Sequence, residues 1–412
     1  MKTTLIHNIS KLLLIEDQGR PSKKGQDLGH FPTLTNAWVL IQEDTIADFG
    51  SGTPPPADET LDAHQGMVLP AYVDSHSHLV YAGTREDEFA QRLHGKTYAQ
   101  IAAAGGGILN SAKRVQAASE EQLFAQASAR LKELMAMGTG ALEVKSGYGL
   151  TTASELKMLR VAQKLGQEFP ITLKTSFLGA HALPPAYASK REAYLQLIIQ
   201  EMLPAIAEEN LAHYVDVFCE EGYFTIAEML QILEAAQNYQ LKAKVHVNQF
   251  TSTGALQAAL EFGALSVDHL EAMTEQDIQD LGNSPTIGTL LPGCSLFLEI
   301  PYAPARQLIK ANATLALATD FNPGSAPSGN MNLMVSLACI KMKMTPEEAL
   351  SAATLNGAAA LEMGHQLGSI EKGKKANLLI TKPMQNASFI PYNFGHNPLA
   401  QVILNGQKIN YA

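Results

Sequence analysis

At 412 residues, with 46% hydrophobic and 17% charged side chains, the chain can bury a core large enough for one big catalytic domain plus a smaller one. Its formal net charge of −10 argues against nucleic-acid binding, which needs a basic face. Membrane spanning is also excluded, because the most apolar stretch, 286–305, is broken by Gly288, Pro292, Gly293, Glu299, Pro301 and Pro304.

Three widely separated cysteines, Cys219, Cys294 and Cys339, with no CxxC, read as free thiols in a reducing cytoplasm. The LLLI run near the N-terminus is too short for a signal peptide and leads into Glu16 and Asp17. The expected setting is cytoplasmic and soluble.

Residues 1–68 lack helical periodicity. Short β-rich pieces such as TLIHNI and AWVLIQEDTIADFG are separated by GRPSKKGQDLGH and GSGTPPPADE. The C-terminal pieces ANLLITKP and QVILNGQKINYA have the same texture, the second turned by a hairpin at Asn405-Gly406. Both ends are therefore expected to form one small β-sandwich domain, 1–68 plus 364–412, beside a main domain at 69–363.

In the main domain, strands alternate with helices, the signature of a parallel sheet. Eight apolar strands are countable: YVDSHSHLV, GALEVKSG, LKTSFLGAH, YVDVFCEEG, KAKVHVNQ, LSVDHLE, TIGTLLPG and TLALATDFNPG. Between them, Met158, Val161, Ala162 and Leu165 follow helical spacing, as do Ile226, Met229, Leu230 and Leu233. The expected fold is α/β, a TIM-like (β/α)8 barrel. A doubly wound open sheet is the alternative, but no GxGxxG follows the first strand.

Polar residues recur at the C-terminal ends of these strands: His76, His78, Lys145, His181, Glu220, Gln249, His269 and Asp320. Barrel enzymes build their sites on that face. Alternation along a strand points His76 and His78 the same way, which suits zinc or iron; a surface turn holding two histidines is the bland reading. His246 and Asp320 can complete a set of three imidazoles and one carboxylate around one divalent ion. Such an ion lowers the pKa of its water from about 15.7 toward about 7, as hydrolysis of an unreactive amide requires. Asp320 and His269 are the candidate proton carriers. For His269 a fifth ligand, a contact to water or oxyanion, and a core histidine bonded to a carboxylate all remain open. Gly105 to Gly107 lacks the Lys-Ser/Thr of a phosphate loop and reads as a tight turn lining the site.

HSH on the first strand, histidines on the fifth and sixth, and ATD on the eighth resemble the amidohydrolase superfamily. Within it, HSHLVYAGTREDEF, AAAGGGI, LEVKSGYGL, ELKMLRVA, FLGAHALPPAY, QEMLPAIAEEN, VDVFCEEG, VDHLE and LATDFNPGSAP are similar to the imidazolonepropionases over nearly the whole chain. The resemblance implies hydrolytic opening of 4-imidazolone-5-propanoate to N-formimidoyl-L-glutamate in histidine degradation. It implies metal ligands at His76, His78, His246 and Asp320, and substrate contacts at Arg85, Tyr148, His181 and Gln249. Product-side contacts fall on Asn322, Gly324 and Ser325, and a homodimer is the implied assembly.

The residue chemistry agrees. Arg85 can hold a propionate through a bidentate pair, or simply be a solvated arginine paired with Glu86 or Asp87. His181 is placed to donate to the ring. VDVFCEEG carries no lysine that could bridge two metals, so one ion is expected. Gln249, three residues after His246, cannot take a proton, which leaves that role to Asp320 and His269. Another cyclic-amide hydrolase or aminohydrolase on the same scaffold, and a non-catalytic barrel, are the competing readings.

Overall fold

Eight apolar runs become eight parallel strands: Tyr72–Asp74, Thr139–Lys145, Thr172–Ala180, Tyr214–Cys219, Lys242–Val247, Ser266–His269, Ile287–Leu290 and Thr314–Leu317. The computed structural model describes residues 2–16, 19–96, 100–101 and 104–410. Ala102 and Ala103 of the AAAGGGI motif, and Asp17, lie outside them. Each strand pairs with its sequence neighbour, so the sheet order follows the chain from first strand to last. That order defines a barrel and excludes the doubly wound sheet, whose order reverses at a switch point.

Closure occurs just beyond the first and last strands. Asp320 N–H donates to His76 O at 3.0 Å and His78 N–H to Phe321 O at 2.9 Å. Thr319 secures the same seam by donating N–H and Oγ1 to the Asp74 carboxylate at 3.0 and 2.6 Å. The HSH segment is thus not inside a strand, as its sequence suggested. The strand ends at Asp74, and Ser77 makes only an isolated bridge to Phe321. The segments carrying His76, His78 and Asp320 are the seam itself.

Helices cover the barrel through the expected apolar faces, with one rotation. In Thr152–Glu168, Met158, Val161, Ala162 and Leu165 are all buried. In Ile226–Gln237 the buried face is Met229, Ile232, Leu233 and Ala236, whereas Ile226 and Leu230 are half-buried. Capping boxes at Ser119/Gln122, Thr225/Glu228, Thr274/Asp277 and Thr345/Glu348 fix four helix starts by satisfying N–H groups that have no partner within the helix.

The chain ends form one mixed eight-stranded sheet. Thr3–Leu13 pairs antiparallel with Thr33–Gln42 and parallel with Glu59–Asp62 and Gly66–Pro70. Leu378–Pro383 joins on at Gly66–Pro70, and Leu399–Leu404 turns back through Asn405-Gly406. The expected sandwich is realised as one continuous sheet folded over a single core that unites Ile6, Val39, Ile46, Leu378 and Ile403. A bridge between Thr45 and Lys375 ties the folded edges. This sheet meets the barrel at the N-terminal end of the second strand, where a Cβ on Gly138 would lie 2.9 Å from Leu399 and 3.0 Å from Leu379. The opposite end carries the polar residues.

Candidate metal centre and its cleft

His76, His78 and His246 each present a ring nitrogen within 4.8 Å of the others, and His76, His269 and Asp320 form a second, overlapping set. Asp320 Oδ1 lies 3.5 Å from Nε2 of both His76 and His78. His76 Nδ1 sits 2.7 Å from Asp268 Oδ2, and His246 Nδ1 2.9 Å from Asp216 Oδ2. An ionised carboxylate only accepts, so both Nδ1 atoms carry a proton and both Nε2 atoms face inward. His76 Nε2 is buried and makes no hydrogen bond among the described residues.

The charges beneath this cluster are out of balance. Lys145 Nζ is 2.7 Å from Glu143, 2.8 Å from Asp216 and 3.6 Å from Asp268, and Lys244 Nζ is 3.2 Å from Glu143. With Asp320, four buried carboxylates oppose two ammoniums. Burial works against ionisation of Asp216, Asp268 and Asp320, but neighbouring cations and hydrogen bonds outweigh it and hold all three below the usual carboxylate range. Before His76 is counted, two negative charges are left over, which in a low-dielectric interior is costly without a counter-charge. Burial and Lys145 pull His76 down, yet its bond to Asp268 and the Asp320 carboxylate facing it raise it to about 9. Burial pushes His246 down to about 3. Inward-facing Nε2 atoms over more carboxylate than ammonium charge fit a divalent cation, which would displace the second His76 proton and leave both Nε2 lone pairs free to bind it.

Several residues here adopt left-handed backbone. Asn248, His269, Leu270 and Asp320 have φ of 55°, 91°, 70° and 54°. Non-glycine residues persist there only where surrounding structure compels them, and such strain gathers at functional sites.

A narrow cleft opens over the cluster, lined by His78, Arg85, Tyr148, His181, His246, Gln249, His269, Asp320, Asn322 and Ser325 among others. His76 is fully buried behind it, and Gly324 lines a neighbouring cleft with Arg85. Lys145 and Glu220 stay off the cleft: Lys145 is in the charge network, and Glu220 accepts from Phe250 N–H at 2.9 Å.

Three residues act differently from their sequence reading. Arg85 is neither solvated nor paired with Glu86 or Asp87. It is 7% exposed and binds Glu88 through Nε at 2.8 Å and Nη2 at 2.7 Å. Glu88 in turn accepts from Gly107 N–H and Asn110, so the glycine loop serves to fix this arginine. His181 does not donate to the cleft from Nδ1, which is 3.0 Å from the Gly147 carbonyl and must carry the proton. Burial, then His78 and His246, hold the ring neutral, so its Nε2 is an acceptor. Asn322 spends its amide on its own loop, donating to Asp320 O and Ser325 Oγ and accepting from Gly324 and Ser325 N–H.

Asp216, Asp268, Glu143 and Lys244 were not singled out as site residues. Their signal was an acidic or basic residue inside an otherwise apolar strand, in VDVF, VDH, LEVK and KAKV. Glu155 was missed too; it gathers Gly147, Gly149 and Leu150 N–H at 2.7–2.9 Å and shapes the turn that presents Tyr148.

Residues 67–409 match the model of the amidohydrolase family. The chain is 53% identical to an imidazolonepropionase of Christiangramia forsetii, covering 99% of this chain and 100% of that one. It is 54% identical to one of Flavobacterium johnsoniae, covering 98% and 100%. Among solved structures, Escherichia coli guanine deaminase superposes with a TM-score of 0.76 at 13% identity, covering 100% of this chain and 99% of that one. A zinc-complexed atrazine chlorohydrolase of Arthrobacter aurescens gives 0.76 at 16% identity, covering 98% and 94%. These two share the fold. The chain belongs to the amidohydrolase family of metal-dependent hydrolases and, by its full-length identity, to the imidazolonepropionases within it.

Proposed function

We propose that the cleft hydrolyses 4-imidazolone-5-propanoate to N-formimidoyl-L-glutamate, with one divalent ion held by His76, His78, His246 and Asp320. The observation that carries this reading is the inward-facing nitrogen cluster, in excess negative charge, at the foot of a cleft that also contains the buried cation Arg85. When bound, the ion, zinc or iron, supplies Lewis-acid polarisation and water activation.

The protein's own residues supply the rest. Glu88 fixes the plane of the Arg85 guanidinium, which pairs with the propionate carboxylate. His181 accepts from a ring N–H, and Tyr148 and Gln249 border the ring. Water adds across the ring amide: its oxygen joins the carbonyl carbon, the C–N bond breaks, and a proton moves to the leaving nitrogen. Asp320, held ionised, takes the proton from water and delivers it to that nitrogen. His269 faces the developing oxyanion. The free thiols of Cys219, Cys294 and Cys339 support a cytoplasmic setting, and sedimentation tests the homodimer that goes with this reading.

The test is loss of the ring's ultraviolet absorbance when metal-quantified protein meets freshly generated substrate. The expected result is rapid loss, with KM raised about 10- to 100-fold in Arg85→Ala and a smaller change in kcat. A metal-loaded protein that leaves the ring intact refutes the reading.

A further inference from the structure

Beside the centre lies a second group of donors that the proposed reaction does not use as ligands. His269, Glu271 and Cys294 each offer one atom, all within 4.8 Å of one another and all buried. His269 Nδ1 and Glu271 Oε2 face each other at 3.5 Å, and neither makes a hydrogen bond among the described residues. The two residues are 2% and 6% exposed. Ser295 Oγ anchors the other Glu271 oxygen at 3.1 Å, and Cys294 Sγ accepts from Gln249 Nε2 at 3.3 Å.

The spacing separates two explanations. A carboxylate that merely orients a histidine sits at hydrogen-bond distance, as Asp268 does from His76 at 2.7 Å and Asp216 from His246 at 2.9 Å. The His269–Glu271 pair is longer than that and equals the 3.5 Å between Asp320 and His76 or His78. Two nitrogen or oxygen ligands on one tetrahedral zinc lie about 3.3 Å apart. We propose that His269 Nδ1, Glu271 Oε2 and Cys294 Sγ form a second, inhibitory cation site, selective through its sulfur for thiophilic ions such as cadmium or excess zinc.

As the metal–sulfur bond forms, the Cys294 thiol proton leaves to solvent, one proton per ion bound. Inhibition follows because an ion there ties down His269, proposed above to face the oxyanion, and takes from Gln249, proposed to border the ring, the sulfur that accepts its amide at 3.3 Å. This inhibitory half rests on the roles proposed above for those two residues; the binding half does not.

Zinc-loaded protein titrated with cadmium tests both. The four-residue centre contains no sulfur, so the part of a thiolate-to-cadmium charge-transfer band in the ultraviolet that is lost in Cys294→Ser, with Cys219 and Cys339 still present, reports the second site. The band is expected to saturate at one cadmium per chain with one proton released, zinc retained, and turnover falling in parallel. Cys294→Ser should remove the band that saturates at one cadmium per chain and raise the cadmium needed for inhibition at least about 10-fold, and Glu271→Gln should weaken cadmium binding while keeping the band. No band in the wild type, or an undiminished band in Cys294→Ser, overturns the site. A Cys294-dependent band without inhibition keeps the site and overturns the inhibitory half. Absence of turnover before any cadmium is added refutes the proposed reaction and leaves the band as the readout.

Discussion

Lys145 in the barrel and Lys374 beside the terminal sheet are both enclosed, at 0% and 3% exposure, but their surroundings differ in kind. Burial acts against the Lys145 ammonium, yet Asp216, Glu143 and Asp268 outweigh it and hold its pKa above the ordinary lysine range. Burial wins at Lys374, whose pKa is lowered despite Glu371. Its Nζ donates mainly to neutral acceptors: Gly364 O at 2.5 Å, Ser369 Oγ at 2.7 Å and Leu367 O at 3.4 Å. One lysine closes a loop onto a sheet. The other sits in a network still in excess negative charge, and that excess marks the region built to take a cation.

The sharpest break of this contrast is Asp320→Asn. It removes a proposed ligand and proton carrier together, and kcat should fall at least about 10³-fold in steady-state assays. Next, Asp268→Asn leaves His76 without its ionised acceptor. Metal affinity, read by chelator competition, should drop about 10- to 100-fold. Unchanged affinity would mean that Asp268 does not orient His76.

In the terminal unit, Lys374→Met strands three buried acceptors. It should cost about 1–3 kcal/mol in denaturant unfolding with metal content and kcat unchanged. A loss of metal in that variant would erase the distinction between the two regions.

The smallest effect concerns Glu155, a buried carboxylate answered by backbone N–H groups. Burial raises its pKa against the bonds from Ser146, Leu150, Gly147 and Gly149. A raised carboxylate means that the folded state binds more protons than the unfolded one. Its stabilisation is therefore full below the unfolded value of about 4.3 and declines as pH rises through the folded one. The stability penalty of Glu155→Gln should accordingly shrink as pH rises above about 4. A penalty that grows with pH contradicts the assigned shift.

Much of this was legible in the chain. Apolar strands separated by amphipathic helices give the barrel, because burial on both faces demands continuous apolar runs. The strand-end register of His76, His78, His181, Gln249, His269 and Asp320 placed the cleft. What stayed hidden depends on pairing between strands. His246 lies opposite Asp268 and Lys244 opposite Asp216 only once the barrel register is set. Backbone conformation was equally silent: Asp320 and His269 take positive φ, and no local spacing announces it. Glu88 was overlooked because three carboxylates follow Arg85, and only the folded helix start shows that the third one binds it.

The central claim is that this cleft works through one divalent cation. Removing metal by chelation and restoring it stepwise, with turnover of 4-imidazolone-5-propanoate as the readout, tests it most directly. Activity should vanish on stripping and return linearly to a maximum at one zinc or iron per chain. Full activity in stripped protein, or a maximum reached only at two ions, would contradict the account.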